Sequence, residues 1–314
     1  VSLNIPAPDG ANGWFISNPT VSANGSDAAS GVALSQVRVD GSGSWSSSAV
    51  ISGDGTHTVE GRTQDNAGHW SSISSATVRV DTTPPLAAAS VLSPDGQNGW
   101  YVSDVTVYAL GSDETSNVAS KQVSLDGVNW NDNEVSVITD GTYTVTVRVT
   151  DNAGLSSTAT TTIRRDTAAP VISGLNISGS AGNNGWYRSA VDVTGLADDS
   201  TSGIALVEVN GQSSLSLSDG VYDVTIRAVD EAGNESLQTV TVRVDTTPPN
   251  ITPQFSLPDG QNDWYISAVQ LDGSAIDATS NVESLRVRIN GGAPRSLPVI
   301  LDQDGIYAVT YEAV

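Results

Sequence analysis

Four copies of one pattern, arriving in the same order each time, limit what this chain can fold into. Gly13-Trp14-Phe15 returns as Gly99-Trp100-Tyr101 and Gly185-Trp186-Tyr187, and Asp263-Trp264-Tyr265 repeats it with aspartate in place of glycine. The tryptophans fall 86, 86 and 78 residues apart. A second marker runs in phase: Asp54-Gly55-Thr56-His57, Asp140-Gly141-Thr142-Tyr143, Asp219-Gly220-Val221-Tyr222 and Asp304-Gly305-Ile306-Tyr307. A third reads Asp65-Asn66-Ala67-Gly68, Asp151-Asn152-Ala153-Gly154 and Asp230-Glu231-Ala232-Gly233. Each unit then closes on Asp81-Thr82-Thr83-Pro84-Pro85, Asp166-Thr167-Ala168-Ala169-Pro170 or Asp245-Thr246-Thr247-Pro248-Pro249. Markers in fixed order over nearly the whole chain describe tandem domains, each with its own small core. The expected repeats are 1–85, 86–170, 171–249 and 250–314.

Within a repeat the hydrophobic period is two. Tyr143, Val145, Val147 and Val149 alternate with Thr144, Thr146 and Arg148, and Tyr222, Val224, Ile226 and Ala228 alternate with Asp223, Thr225 and Arg227. Such alternation belongs to a strand with one face on a core and the other in water. Pro-Asp-Gly, Asp-Gly and Ala-Gly punctuate the runs at short intervals, as turns do. Lys121 is the only lysine and methionine is absent, so helix formers are scarce while Val, Thr, Ser and Gly abound. About seven strands in each repeat suit a two-sheet sandwich. The expected class is all-β, a tandem and elongated array of seven-stranded sandwiches.

Charge narrows the partners. The formal net charge is −22, spread over the repeats as −4, −6, −7 and −5, so acidity belongs to the repeat itself. No basic cluster exists to hold phosphates, which excludes nucleic acid and disfavours anionic membranes. An acidic surface keeps an exported chain soluble and can gather divalent cations. Cysteine is absent, which leaves the redox compartment open. The chain does not start with Met and has no run of 18 apolar residues. It is therefore expected to be part of a longer multidomain chain, with no membrane insertion by this segment.

Asp-Gly-x-Tyr ahead of an alternating strand resembles the tyrosine corner of immunoglobulin-like sandwiches, where a tyrosine opening strand F bonds back to the turn before it. Tyr143, Tyr222 and Tyr307 take that place, and His57 takes it in the first repeat, whose strand also carries Gly61 and Thr63. That corner and core should be the weaker ones. With Asp-Asn-Ala-Gly and the Asp-Thr-Thr-Pro-Pro ending, the whole pattern is similar to the bacterial immunoglobulin-like repeats of large exported surface proteins. The resemblance implies an extracellular or cell-surface bacterial protein. It implies no single function, because such repeats serve adhesins, surface enzymes and filaments alike. The fourth repeat stops at Val314, where the turn after strand F would begin, and so lacks its last strand.

Catalytic chemistry finds little to use. His57 and His69 are the only histidines, each at a repeat position, and no Ser-His-Asp set or phosphate loop recurs. The chain reads as no enzyme. Sandwich topology places the B–C and F–G loops of one repeat against the end of the repeat before it, which would gather acidic residues at each junction. Asp81 would meet Asp113, Glu114 and Asp151; Asp166 would meet Asp198, Asp199 and Asp230; Asp245 would meet Asp277. Carboxylates in that number suit calcium, a hard cation taking six to eight oxygens. The same aspartates also serve ordinary turns, whose N–H groups they accept.

Trp14, Trp100, Trp186 and Trp264 recur at one place per repeat, as residues packed over the sandwich edge do. Trp45 and Trp130 lack counterparts in the later repeats and are the candidates for stacking on a sugar ring. Trp70 is unique to the first repeat. Asn24, Asn176, Asn234 and Asn250 stand in Asn-x-Ser/Thr sequons of little weight in so Ser- and Thr-rich a chain. Pro84-Pro85 and Pro248-Pro249 stiffen two linkers, whereas Ala168-Ala169 marks the most flexible. At about 35–40 Å per repeat, four in line would span on the order of 150 Å. The expected role is a structural stalk or spacer holding another module away from the surface. Alternatives are an adhesive module binding surface glycans, and a subunit that associates with neighbouring copies in an extracellular filament.

Overall fold

Apolar–polar alternation becomes paired strand in every repeat of the computed structural model, which describes residues 1–314 apart from the side chain of Ser42. No helix occurs among the described residues. The chain forms two units, Val1–Ala168 and Ala169–Val314.

The first unit opens with β1 (Ser2–Asn4), β2 (Trp14–Phe15), β3 (Thr20–Asn24), β4 (Val32–Val39), β5 (Ser42–Ser46), β6 (Ser48–Val50), β7 (Gly55–Asp65) and β8 (Ser74–Val80). They form two sheets, β1-β3-β6 and β2-β8-β7-β4-β5. It continues with β9 (Leu86–Ser90), β10 (Val105–Ser112), β11 (Val118–Ser124), β12 (Asn131–Asp132), β13 (Glu134–Val137), β14 (Gly141–Asp151) and β15 (Ser156–Arg165). Here the sheets are β13-β10-β9 and β12-β11-β14-β15.

In the second unit, β16 (Val171–Ser178), β17 (Trp186–Tyr187), β18 (Val191–Asp198), β19 (Ile204–Val209), β20 (Leu215–Leu217), β21 (Gly220–Asp230) and β22 (Glu235–Val244) build β16-β18-β20 and β17-β22-β21-β19. The last six strands are β23 (Asn250–Phe255), β24 (Val269–Ile276), β25 (Leu285–Ile289), β26 (Arg295–Ser296), β27 (Val299–Leu301) and β28 (Val309–Ala313), paired as β23-β24-β27 and β26-β25-β28.

The chain is thus a tandem set of immunoglobulin-like β-sandwiches, and each core lies between a three-stranded sheet and its partner. Val21, Val37, Val59 and Val80 fill the first, Val107, Val123, Val145 and Ile163 the second, and Val193, Val224, Ile226 and Val242 the third. Gly61 leaves no gap in the first core: a Cβ there would stand 2.7 Å from Leu3 Cδ2, so Leu3 already occupies the space. In the fourth repeat β28 pairs with β25 alone, whereas its counterpart β21 pairs on both edges. A cleft of about 1240 Å³ opens beside it, lined by Phe255, Trp264, Ile306 and Tyr311 among others. Trp264 is accordingly 59% exposed, against 9% for Trp14 and Trp100.

Two motifs explain how the ends of a repeat are fastened. Asn12 and Gly13 both have positive φ, 52° and 79°, and Trp14 N–H bonds to Ala11 O across them at 3.0 Å. That is the type I′ hairpin that Asn-Gly favours. In the fourth repeat Asp263 holds φ 61° without the freedom of glycine. The aromatic pair after the turn runs parallel to the end of the last strand, Trp14 opposite Arg79 and Trp186 opposite Arg243.

Candidate metal centre at a repeat junction

Asp81 owes its position to three parts of the first repeat. Its N–H bonds to Phe15 O at 2.8 Å, so the aromatic hairpin fixes the backbone. Asp54, in the turn ahead of β7, accepts from Thr82 N at 2.8 Å, Thr82 Oγ1 at 2.9 Å and Thr83 Oγ1 at 2.5 Å. Asp81 Oδ1 accepts from Thr83 N at 3.2 Å. The linker is therefore strapped to its own repeat, and the second carboxylate oxygen is turned toward the next one.

There it meets two more carboxylates. Oxygens of Asp81, Asp113 and Asp151 lie within 4.8 Å of one another. Asp113 Oδ1 accepts from the N–H groups of Thr115, Ser116 and Asn117, closing the loop before β11. Asp151 Oδ1 accepts from Leu155 N at 2.9 Å, closing the turn after β14. Asp81 and Asp151 are 0% and 1% exposed, and the Oδ2 of each has no hydrogen-bond partner. Burial, followed by the charges of Asp81 and Asp113, pushes the Asp151 carboxyl up. Leaving buried charge unpaired costs several kcal/mol per ion. An all-oxygen donor set of this kind fits a hard divalent cation such as calcium, with carbonyls or water completing its shell. Glu114 is exposed and stands outside the cluster.

A direct clasp lies beside the cluster. Ala11 N–H bonds to Ala153 O at 2.7 Å and Asn12 Nδ2 to Asn152 O at 3.0 Å. Ala153 is 0% exposed, while its counterpart Ala67 is exposed. The turn 151–154 thus gives a carboxylate to the cluster and carbonyls to the preceding repeat. Asn152 Nδ2 in turn bonds to Ser116 O at 2.8 Å, tying both acidic loops together.

The remaining sequence candidates divide. In the second unit, Asp199 and Asp230 bring their carboxylates within 4.8 Å of each other, each closing its own turn, and Asp198 is exposed. Asp166, which ends the first unit's last strand region, is buried. Asp245 and Asp277 lie side by side, and the Ser280 and Thr279 N–H groups hold Asp277 below the usual carboxylate range. The linker clamps were missed as such: Asp54, Asp140 and Asp219 read only as turn formers. Their signal was the Thr-Thr that accompanies them. Asp219 binds both Thr246 and Thr247, whereas Asp140 holds Thr167 alone of the linker, which continues as Ala168, and accepts from the Arg165 guanidinium as well.

Trp45 and Trp130 are half-buried beneath cations. Arg38 and Arg62 stand 4.7 and 4.1 Å from the Trp45 centroid, and Arg148 stands 4.1 Å from that of Trp130. Arg62 also lies 3.9 Å from the Trp70 centroid. Cation–π stacking on the outer sheet face therefore occupies ring surface that a sugar would need.

Comparison with known proteins agrees with the geometry of the third repeat. Residues 180–246 match the family model of a bacterial Ig-like domain. The Ig-like chain is also 33% identical, over 114 residues, to an uncharacterized 81.3 kDa protein of Acholeplasma phage L2, a match covering 35% of this chain and 15% of that protein. Among solved structures, a tetra-tandem repeat from the extending region of a large adhesion protein is 17% identical. It covers 99% of this chain and 89% of that one at a TM-score of 0.32. A 1.5-MDa bacterial ice-binding adhesin gives 17%, 79%, 99% and 0.33 for the same quantities. No helix among the described residues is long and apolar enough to cross a membrane.

Proposed function

We propose that these Ig-like repeats form a non-catalytic stalk of a secreted or cell-surface bacterial protein, holding another module away from the surface, with calcium stiffening its junctions. The observation that carries the reading is the first junction. A linker carboxylate is strapped to one repeat by Asp54 and Phe15, buried against two carboxylates of the next, and left with an unpartnered oxygen. A spacer needs linkers that resist bending, and a cation shared by two domains resists it while satisfying those oxygens. Asp81, Asp113 and Asp151 would hold the ion, and Asp245 and Asp277 are the corresponding candidates within the second unit. Glycan binding through Trp45 and Trp130 is the weaker reading, since guanidinium groups already lie on those rings.

Small-angle X-ray scattering in millimolar calcium and in excess EDTA tests this. A rod in calcium that becomes a flexible chain in EDTA is the expected result. A rod under both conditions would remove calcium from the reading and leave the prolines and the direct clasp as the stiffening elements. A compact particle under both would remove the spacer role.

A further inference from the structure

The first repeat departs from the tyrosine corner in a way that brings in a proton. Tyr143, Tyr222 and Tyr307 each use one hydroxyl at the corner, toward Thr139 Oγ1, Asp219 O and Gln303 O. His57 makes two contacts: Nε2 lies 3.0 Å from Gly53 O and Nδ1 lies 2.8 Å from Asp40 Oδ2. A carbonyl and a carboxylate are both acceptors, so each ring nitrogen must carry a hydrogen to bond. Neutral imidazole carries one. The geometry therefore selects the doubly protonated ring.

Asp40 is placed for this. Its Oδ1 accepts from Thr58 N at 2.8 Å, as Asn290 Oδ1 accepts from Ala308 N at 2.8 Å in the fourth repeat. Where that repeat has an amide, the first has a second, charged acceptor. Other charged groups nearby are otherwise engaged. Asp54 gives both oxygens to Thr82 and Thr83, Arg38 pairs with Glu60, and Arg79 on β8 lies over Trp14.

We infer that His57 is a proton-controlled pin on the turn that anchors the linker to the second repeat. Gly53, whose carbonyl His57 holds, immediately precedes Asp54, whose carboxylate holds Thr82 and Thr83. The hydrogen bond to Asp40, then that to Gly53, raises the His57 pKa above its ordinary 6.5. A raised folded-state value gives the sign. The pin is fully in place below pH 6.5 and is lost as pH rises through the folded value. Deprotonation breaks one of the two contacts, frees the turn 53–55, and slackens the strap on Asp81. This goes beyond the stalk reading and does not depend on calcium.

The test follows the full chain in EDTA by NMR, titrating the His57 imidazole nitrogens alongside hydrogen exchange at Thr82 and Thr83. Both nitrogens should be protonated below pH 6.5, with a midpoint above it. After correction for intrinsic exchange, protection at Thr82 should fall about two- to tenfold across that midpoint, the worth of one net hydrogen bond. His57→Tyr should keep the corner and abolish the pH dependence, and Asp40→Asn should lower the midpoint. A midpoint at or below 6.5, a single protonated nitrogen throughout, or protection in the wild type that does not follow the titration would overturn the inference.

Discussion

The junctions within the two units share a linker and differ in what receives it. In the first, Asp81 is buried against Asp113 and Asp151, and Ala11 and Asn12 lie on the turn 151–154. In the second, Asp245 meets Asp277 and is only half-buried. At the first junction the turn after strand F is what receives the linker. It supplies the third carboxylate and both clasping carbonyls, so burial, the cluster of carboxylates and direct contact arise there together.

The largest effect expected from breaking this comparison is at Asp151. At calcium 100-fold above its dissociation constant, the wild-type first unit should gain about 2.7 kcal/mol. Asp151→Asn should lose most of that gain yet be more stable than wild type in EDTA, because it removes a buried charge that Asp81 and Asp113 repel. Asparagine keeps the Oδ1 contact to Leu155 N, so the turn itself survives while the burial and like-charge repulsion that push the Asp151 carboxyl up are relieved. Calorimetry with and without EDTA reads both signs. A variant with the full calcium response would show that Asp151 is no ligand and that the two junctions differ only in packing.

How much of this was legible depended on whether a residue's partner was near in sequence. The strands, the sandwich and the repeat order follow from alternation and turn chemistry, which are local. The acidic residues of the first junction could be nominated because topology alone places loop ends at a pole. Which of them meet could not: Asp113 and Glu114 are adjacent, and only the closure of the loop onto Asp113 turns Glu114 into solvent. The clasp was invisible because its acceptors are the backbone carbonyls of Asn152 and Ala153, which carry no side-chain signal. Trp264 follows the same logic in reverse. Its motif matches Trp14, but burial of Trp14 depends on β8, and the fourth repeat has no described strand in that place.

A sharper probe of the clasp compares two glycines. A Cβ on Gly10 would stand 2.7 Å from Ala153 O, 2.7 Å from Ile16 Cγ2 and 3.0 Å from Trp14 O. On Gly260 it would meet only its own loop, Trp264 O at 2.9 Å and Ile266 Cγ2 at 3.0 Å. Gly10→Ala should cost about 1–3 kcal/mol, as overpacking does, and Gly260→Ala less, because only the first must also push a neighbouring repeat away. Equal losses in thermal unfolding would mean that loop strain accounts for both and that the carbonyl contact yields freely.

The smallest expected effect separates hydrogen bond from charge. Asn12 sits at φ 52°, a conformation aspartate shares, so Asn12→Asp leaves the hairpin intact while removing the donor to Asn152 O. The exposed position keeps the loss near 0.5–1 kcal/mol, roughly one net hydrogen bond. The new carboxylate also faces an acidic junction, and that part of the cost is screened at 1 M salt, where the Debye length is about 3 Å. Loss remaining at high salt is then the hydrogen bond, and loss that disappears is repulsion. Asn262→Asp at φ 57° provides the reference, because no turn receives that loop among the described residues and its stability should not change. A matching loss at Asn262 would place the effect in the hairpin and leave the clasp without a side-chain contribution.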